Sequence, residues 1–152
     1  MARQVTTEAI GAEAQPRGAT MVRLCRILVI EDNELVLGVV NEAIAIEGYQ
    51  VELVRPPVDH VEDIDFAEFD VAIIDLMLPR GLDGFSLARR AAQRGIGVIL
   101  MSGDHAQFER AAQSGHAFLA KPFRLITLMR LLEEVLAKTG AECERSRNPV
   151  PA

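Results

Sequence analysis

The sequence predicts one α/β domain built on a doubly wound, five-stranded parallel sheet, and three observations predict it. Residues 27–30, 71–74 and 98–101 are unbroken apolar runs, the pattern of strands covered on both faces. Segments with helical spacing follow them, so strand and helix alternate along the chain. Four strand-like runs also stop abruptly on a polar side chain: at Glu31-Asp32, Asp75, Ser102 and Lys121. A length of 152 residues leaves room for one domain and short tails.

Taken in order, strand 27–30 ends at Glu31-Asp32, where Asp32 or Asn33 can cap a helix that runs to Glu47 and closes at Gly48. Residues 50–54 form a second strand. Residues 55–69 hold Pro56-Pro57 and many acids, and mark a second helix only weakly. The third strand, 71–74, meets Asp75, and a helix follows from Gly84 to just before Gly95. Strand 98–101 leads to Ser102, and a helix covers about 106–114. Residues 118–120 make a short fifth strand before Lys121, and 125–137 form the last helix. Parallel strands joined by helices need right-handed crossovers. The common strand order 2-1-3-4-5 reverses between the first and third strands, and ligands bind beyond the carboxyl ends of the strands at such a reversal.

A formal net charge of −6 argues against nucleic-acid binding, which rewards clustered Lys and Arg. No run approaches the length of a membrane span, and the first 20 residues lack a secretory apolar core. A cytoplasmic protein with no membrane partner is therefore expected. Cys25 and Cys143, without CxxC or metal-ligand spacing, read as unpaired thiols in a reducing compartment. Residues 1–21 read as a flexible leader, 22–138 as the folded domain, and 139–152 as a disordered tail. The acids between Asp59 and Asp75 read as a solvated face.

The strand ends carry the chemistry. Three carboxylates, Glu31, Asp32 and Asp75, converging at one sheet edge repel one another unless a cation lies among them. A hard divalent ion such as Mg²⁺ suits oxygen-only ligands and keeps positions for water and phosphate. Carboxylates accept phosphoryl groups, and phosphoryl transfer depends mainly on positioning and charge neutralisation. Lys121 supplies a compact ammonium and Ser102 a hydroxyl donor.

The segments ILVIEDN (27–33), VAIIDLMLPRGLDGF (71–85), GVILMSGD (97–104) and HAFLAKPF (116–123) together resemble the signature of response-regulator receiver domains, the CheY-like branch of flavodoxin-like folds. The resemblance spans nearly all of 22–138. It implies that Asp75 is the phosphoacceptor, that Asp32 ligates Mg²⁺ directly and Glu31 through water, and that the Met77 backbone carbonyl is a further ligand. It implies that Ser102 bonds the phosphoryl group, that Lys121 pairs with it, and that Ser102 and Phe118 carry the switch. Lys121-Pro122 resembles the family's cis peptide. The partners implied are a sensor histidine kinase or histidine phosphotransfer protein, docking on the first helix, and a downstream protein target. The wide apolar arc of the last helix (Leu125, Ile126, Leu128, Met129, Leu131, Leu132, Val135, Leu136) adds a homodimer surface through the fourth helix, fifth strand and last helix, or else meets a neighbouring helix.

Two features depart from the family pattern: the loop from Asp75 to Asp83 is one residue longer than the commonest form, and the second helix is poorly marked. The expected function is a stand-alone signalling switch, not an enzyme beyond its own phosphotransfer and dephosphorylation, with no DNA-binding output segment. The alternatives are a phosphorelay shuttle or a phosphate sink. An Asp-nucleophile Mg²⁺ phosphohydrolase would need a second Asp where Met77 stands. A flavodoxin-like cofactor carrier would need a phosphate loop where Glu31-Asp32-Asn33 stands.

Met77 and Asp104 occupy positions that, in the family, tune access of the hydrolysing water. A bulky Met77 is expected to slow loss of the phosphoryl group. Met77→Asn should therefore dephosphorylate faster than wild type in a phosphate-release assay, and an unchanged rate contradicts the shielding.

Overall fold

The structure is a computed structural model and describes residues 23–146. The expected leader (1–21) and the last six residues of the expected tail (147–152) lie outside the described residues. In chain order the elements are β1 (Arg23–Leu24), β2 (Arg26–Ile30), α1 (Glu34–Ile46), β3 (Gln50–Val54), β4 (Val71–Asp75), α2 (Gly84–Gln93), β5 (Gly97–Ser102), α3 (Phe108–Gln113), β6 (Ala117–Ala120), α4 (Leu125–Thr139) and β7 (Cys143–Glu144). Five strands form one parallel sheet in the order β3-β2-β4-β5-β6. Counting from β2, this is the expected 2-1-3-4-5 order, with the reversal between β2 and β4.

Side-chain alternation along the central strands divides the core into two layers. Ile27, Val29, Val71, Ile73, Ile99, Met101 and Leu119 face α1 and α4. Leu28, Ile30, Ala72, Ile74, Val98 and Leu100 face Leu87, Ala88 and Ala91 of α2 and Ala111 of α3. Most of these strand residues are completely buried. Each large aliphatic side chain among them contributes about 1.5–3 kcal/mol by leaving water. The start of α1 is capped by Asn33, one of the two residues the sequence offers, whose Oδ1 accepts from the N–H of Leu35 and Val36; Asp83 caps α2, its side chain accepting from the Phe85 N–H.

The segment between β3 and β4 holds no α-helix. It makes two single-turn 3₁₀ helices, Val61–Asp63 and Phe66–Glu68, after a cis Pro56-Pro57. Phe66 and Phe69 plug the core where a longer helix would lie.

The apolar arc of α4 is shared by the sheet and α1 on the same face. Leu128, Leu132 and Val135 are buried, while Met129, Leu131 and Leu136 pack half-buried around the same core. Only the first turn stands clear, with Leu125 42% and Ile126 64% exposed. The free apolar face is thus smaller than the sequence pattern indicates, because a neighbouring helix covers much of the arc.

Three readings of the sequence are corrected. Cys25 and Cys143 are not separate thiols but a disulfide, with Cα atoms 4.8 Å apart across a sequence separation of 118. The tail is not wholly without structure: β7 pairs in parallel with β1, Cys25 N–H donates to Glu144 O at 2.9 Å, and Ser146 N–H donates to Gly48 O at 2.7 Å. The acids of 59–75 are not all solvated, since Asp70 is 4% exposed and grips Arg23 through two hydrogen bonds of 2.6 and 2.8 Å. All three depend on contacts between residues far apart in sequence, which local periodicity cannot register. Backbone hydrogen bonds worth about 1 kcal/mol each net do not offset about 1–2 kcal/mol for ordering each tail residue. The covalent link adds on the order of 4–5 kcal/mol in a loop of roughly 100 residues.

Gly97 opens β5 where α4 crosses it. A Cβ there would stand 2.3 Å from Val135 Cγ1 and 3.0 Å from Thr139 Cγ2. Gly97→Ala is accordingly expected to lower stability by about 1–3 kcal/mol, measured as a lower urea midpoint. An unchanged midpoint would show that α4 moves aside freely.

Candidate functional site

Strand register delivers the polar residues to one edge. Ile30 pairs with Ile74, Asp75 with Met101, and Ser102 with Ala120. Glu31, Asp75, Ser102 and Lys121 therefore emerge side by side where the apolar runs end, with Asp32 one residue beyond Glu31. Glu31 and Ser102 are fully buried and Asp75 is 2% exposed; Asp32 is less enclosed.

Lys121 ties the site together. Its Nζ donates to Glu31 Oε2 at 2.6 Å and to Asp75 Oδ2 at 2.7 Å. The remaining oxygens accept from backbone N–H groups two residues on: Glu31 Oε1 from Asn33 at 3.0 Å, and Asp75 Oδ1 from Met77 at 2.9 Å. Ser102 Oγ accepts likewise from Asp104 at 3.0 Å. These local bonds fix each side chain at its strand end. The Lys121-Pro122 peptide is cis, as the sequence motif implies. An antiparallel bridge between Met77 and Asp83 closes the loop after β4, in which Arg80 and Gly81 both have positive φ. The Met77 residue is 52% exposed beside the mouth of the site.

Burial, and beside it the Asp75 carboxyl, push the Glu31 pKa up to about 7 against the opposing pull of Lys121 and the Asn33 N–H. Burial works against the Lys121 charge, but its bonds to Asp75 and Glu31 prevail and raise its pKa above the ordinary lysine value. Carboxyl oxygens of Glu31, Asp32 and Asp75 lie within 4.8 Å of one another. This oxygen-only set suits a hard cation of the Mg²⁺ kind.

Phe118 is half-buried and meets Phe108 of α3 edge-on, with ring centroids 5.1 Å apart. It lines the α2–α3 side of the core rather than the acidic pocket. Among the described residues a second trio, Cys25, Asp70 and Cys143, has metal-like spacing. Its sulfurs are bonded to each other and both Asp70 oxygens are taken by Arg23, so it serves as an anchor. Burial pushes the Asp70 pKa upward, but the bonds from Arg23 and the Arg26 N–H outweigh it and hold the carboxyl below its ordinary range. Sequence reasoning missed Asp70 because Arg23 lies 47 residues away.

A doubly wound parallel sheet whose reversal point opens on three acids and a lysine defines a class of phosphate- and metal-handling α/β proteins. Within that class, the response regulator receiver domain family model matches residues 27–133, and the chain belongs to this family. Among curated relatives, Response regulator MprA of Mycobacterium ulcerans is 28% identical over 130 residues, covering 82% of this chain and 56% of that protein. The Mycobacterium avium MprA is 29% identical over 122 residues, 77% of this chain and 53% of that protein. The chain thus spans about half the length of the curated relatives it matches. Among solved structures, a CheY-like receiver domain protein from Methanospirillum hungatei superposes with TM-score 0.66 at 23% identity, over 77% of this chain and 97% of that one. The receiver domain of a modulated diguanylate cyclase from Desulfovibrio desulfuricans gives TM-score 0.61 at 28% identity, with the same coverage. Receiver domains are signalling modules of two-component systems and generally bind Mg²⁺ at the acidic pocket; among the described residues no helix is long and apolar enough to cross a membrane.

The Glu31 carboxyl, ordinarily near 4.5 but about 7 when folded, keeps its proton in the native state over a range where the unfolded chain has lost it. Its contribution to stability is therefore present below about pH 4.5 and lost as pH rises through about 7. In metal-free protein, Glu31→Gln should weaken the loss of stability between those limits in urea titrations. A wild-type profile in the variant would assign that loss to another group.

Proposed function

We propose that this domain is a phosphorylation-dependent switch in which Asp75 accepts a phosphoryl group from a phosphohistidine of a sensor kinase or histidine phosphotransfer protein. The supporting observation is the buried Asp75 carboxylate, hydrogen-bonded at 2.7 Å by the Lys121 ammonium within a trio of acids. Glu31, Asp32, Asp75 and the Met77 backbone carbonyl are the groups that would hold Mg²⁺, with Glu31 acting through water. When bound, the ion offsets the charge gathered on the acids and on the incoming phosphoryl oxygens.

In this reading an Asp75 oxygen attacks phosphorus as the phosphorus–nitrogen bond of the donor breaks, and the imidazole leaves with the electron pair. The Met77 N–H holds Asp75 Oδ1 in place, and Lys121 is available to shift from the carboxylate to a phosphoryl oxygen. Ser102 Oγ already accepts from Asp104 N–H, so its own hydrogen can be donated to the phosphoryl group. Drawing Ser102 toward that group would disturb the layer that contains Phe118, which is the proposed route to the signalling face.

Beside Lys121, a groove of about 490 Å³ runs between α1 and the start of α4, lined by Leu35, Val36, Val39, Pro122, Phe123 and Leu125. Leu35 is 81% exposed there. We assign this apolar mouth to docking of the histidine donor, as the family resemblance implies, and the signalling output to protein contacts made in the cytoplasm. The proposal is confined to this domain, because the matched relatives carry nearly as much chain again outside the matched stretch.

Incubation with acetyl phosphate and Mg²⁺ should add one phosphoryl group to the wild type by mass spectrometry, and none to Asp75→Ala or when Mg²⁺ is chelated. Lys121→Ala should be labelled much more slowly. Labelling of Asp75→Ala to the same extent as wild type would remove the assignment.

A further inference from the structure

The disulfide lies at the amino end of the sheet, opposite the acidic pocket, and its two cysteines are anchored unequally. Cys25 is 4% exposed and follows β1, which is fastened on its own account. Arg23 grips buried Asp70 twice, and Asp70 also accepts from the Arg26 N–H at 2.8 Å. Cys143 is half-buried and belongs to a short segment after α4 whose other contacts include the Cys25 N–H to Glu144 O bond and Arg145 over the Tyr49 ring. That segment has a two-residue strand, the Ser146–Gly48 bond, and Arg145 ion pairs to Glu47 and Glu133 at 3.1 and 3.4 Å. Both ion pairs are exposed, so they add little. The contact with the domain is nonetheless close. A Cβ on Gly48, whose φ is +90°, would lie 2.5 Å from Ser146 O and 2.8 Å from Ser146 N.

We propose that Cys25–Cys143 is a thiol–disulfide exchange site that latches the segment 140–146 across the end of α1 when oxidised and releases it when reduced by a dithiol. An incoming thiolate attacks Sγ of Cys143, the less buried of the two residues, and the Cys25–Cys143 bond breaks with Cys25 leaving as a thiolate that takes a proton from water. The second thiol of the reductant then attacks the mixed disulfide, freeing Cys143 as a thiol and oxidising the reductant to its own disulfide. Reversal restores the latch. Because Arg23 and Asp70 hold β1 independently, the five-stranded sheet and the pocket at its far edge stay in place while the segment after α4 comes free. Redox state thereby sets whether the segment 140–146 lies against the domain. This input is separate from phosphate acceptance and does not rest on it.

The test is hydrogen exchange of the whole chain in oxidised and reduced dithiothreitol, with thiols counted by alkylation and mass spectrometry. In the oxidised buffer no thiol should be alkylated and the Ser146 amide should be protected. Reduction should expose two thiols and speed exchange at that amide at least tenfold, leaving Ile73 in β4 unchanged. Cys143→Ser should exchange at the reduced rate in both buffers, and reduced wild type provides the same state without substitution. Two free thiols in the oxidised buffer, equal Ser146 exchange in both, or loss of protection at Ile73 on reduction would each overturn the latch; the last would make the bond a staple of the whole fold.

Discussion

Lys121 reaches between two buried carboxylates, and the rest of the pocket depends on that contact. Without a cation between them, Glu31 and Asp75 could not both remain charged beneath the surface. The ammonium answers two acids at once, at 2.6 and 2.7 Å, while burial and the neighbouring Asp75 carboxyl push the Glu31 pKa up. A pocket that holds more negative charge than its own lysine satisfies is one that favours a divalent cation.

The sheet supports that arrangement by geometry rather than by flexible reach. Strands β2, β4, β5 and β6 end at nearly the same level, so the side chains after each apolar run meet without long loops between them. Each of Glu31, Asp75 and Ser102 also accepts the N–H two residues on, so the turn that ends the strand orients the functional group. Substitutions in the aliphatic layers would therefore act on the pocket through strand position, even where they touch none of its atoms.

At the opposite end of the sheet a different solution appears. Asp70, buried and fully paired with Arg23 and the Arg26 N–H, closes the amino edge with a satisfied ion pair. Next to it the disulfide and β7 carry the chain back over α1. One edge thus gathers three acids around one lysine, while the other pairs its buried acid in full. This division matches function at the carboxyl ends of the strands and anchoring at their amino ends.

Much of this was legible in the residues themselves. The apolar runs ending in Glu31, Asp75, Ser102 and Lys121 determined the strands, their parallel pairing and which residues share an edge, because burial on two faces leaves a continuous signature in a short segment. A cap at Asn33 was readable for the same reason: its partners are two and three residues away. The weak second helix was also legible at Pro56-Pro57, whereas tertiary structure alone decided the Arg23–Asp70 pair, the Cys25–Cys143 bond, and how much of the α4 arc α1 would cover. Each of these depends on distance in space between residues remote in sequence, or on the competition of two elements for one surface, and neither quantity leaves a period in a linear chain.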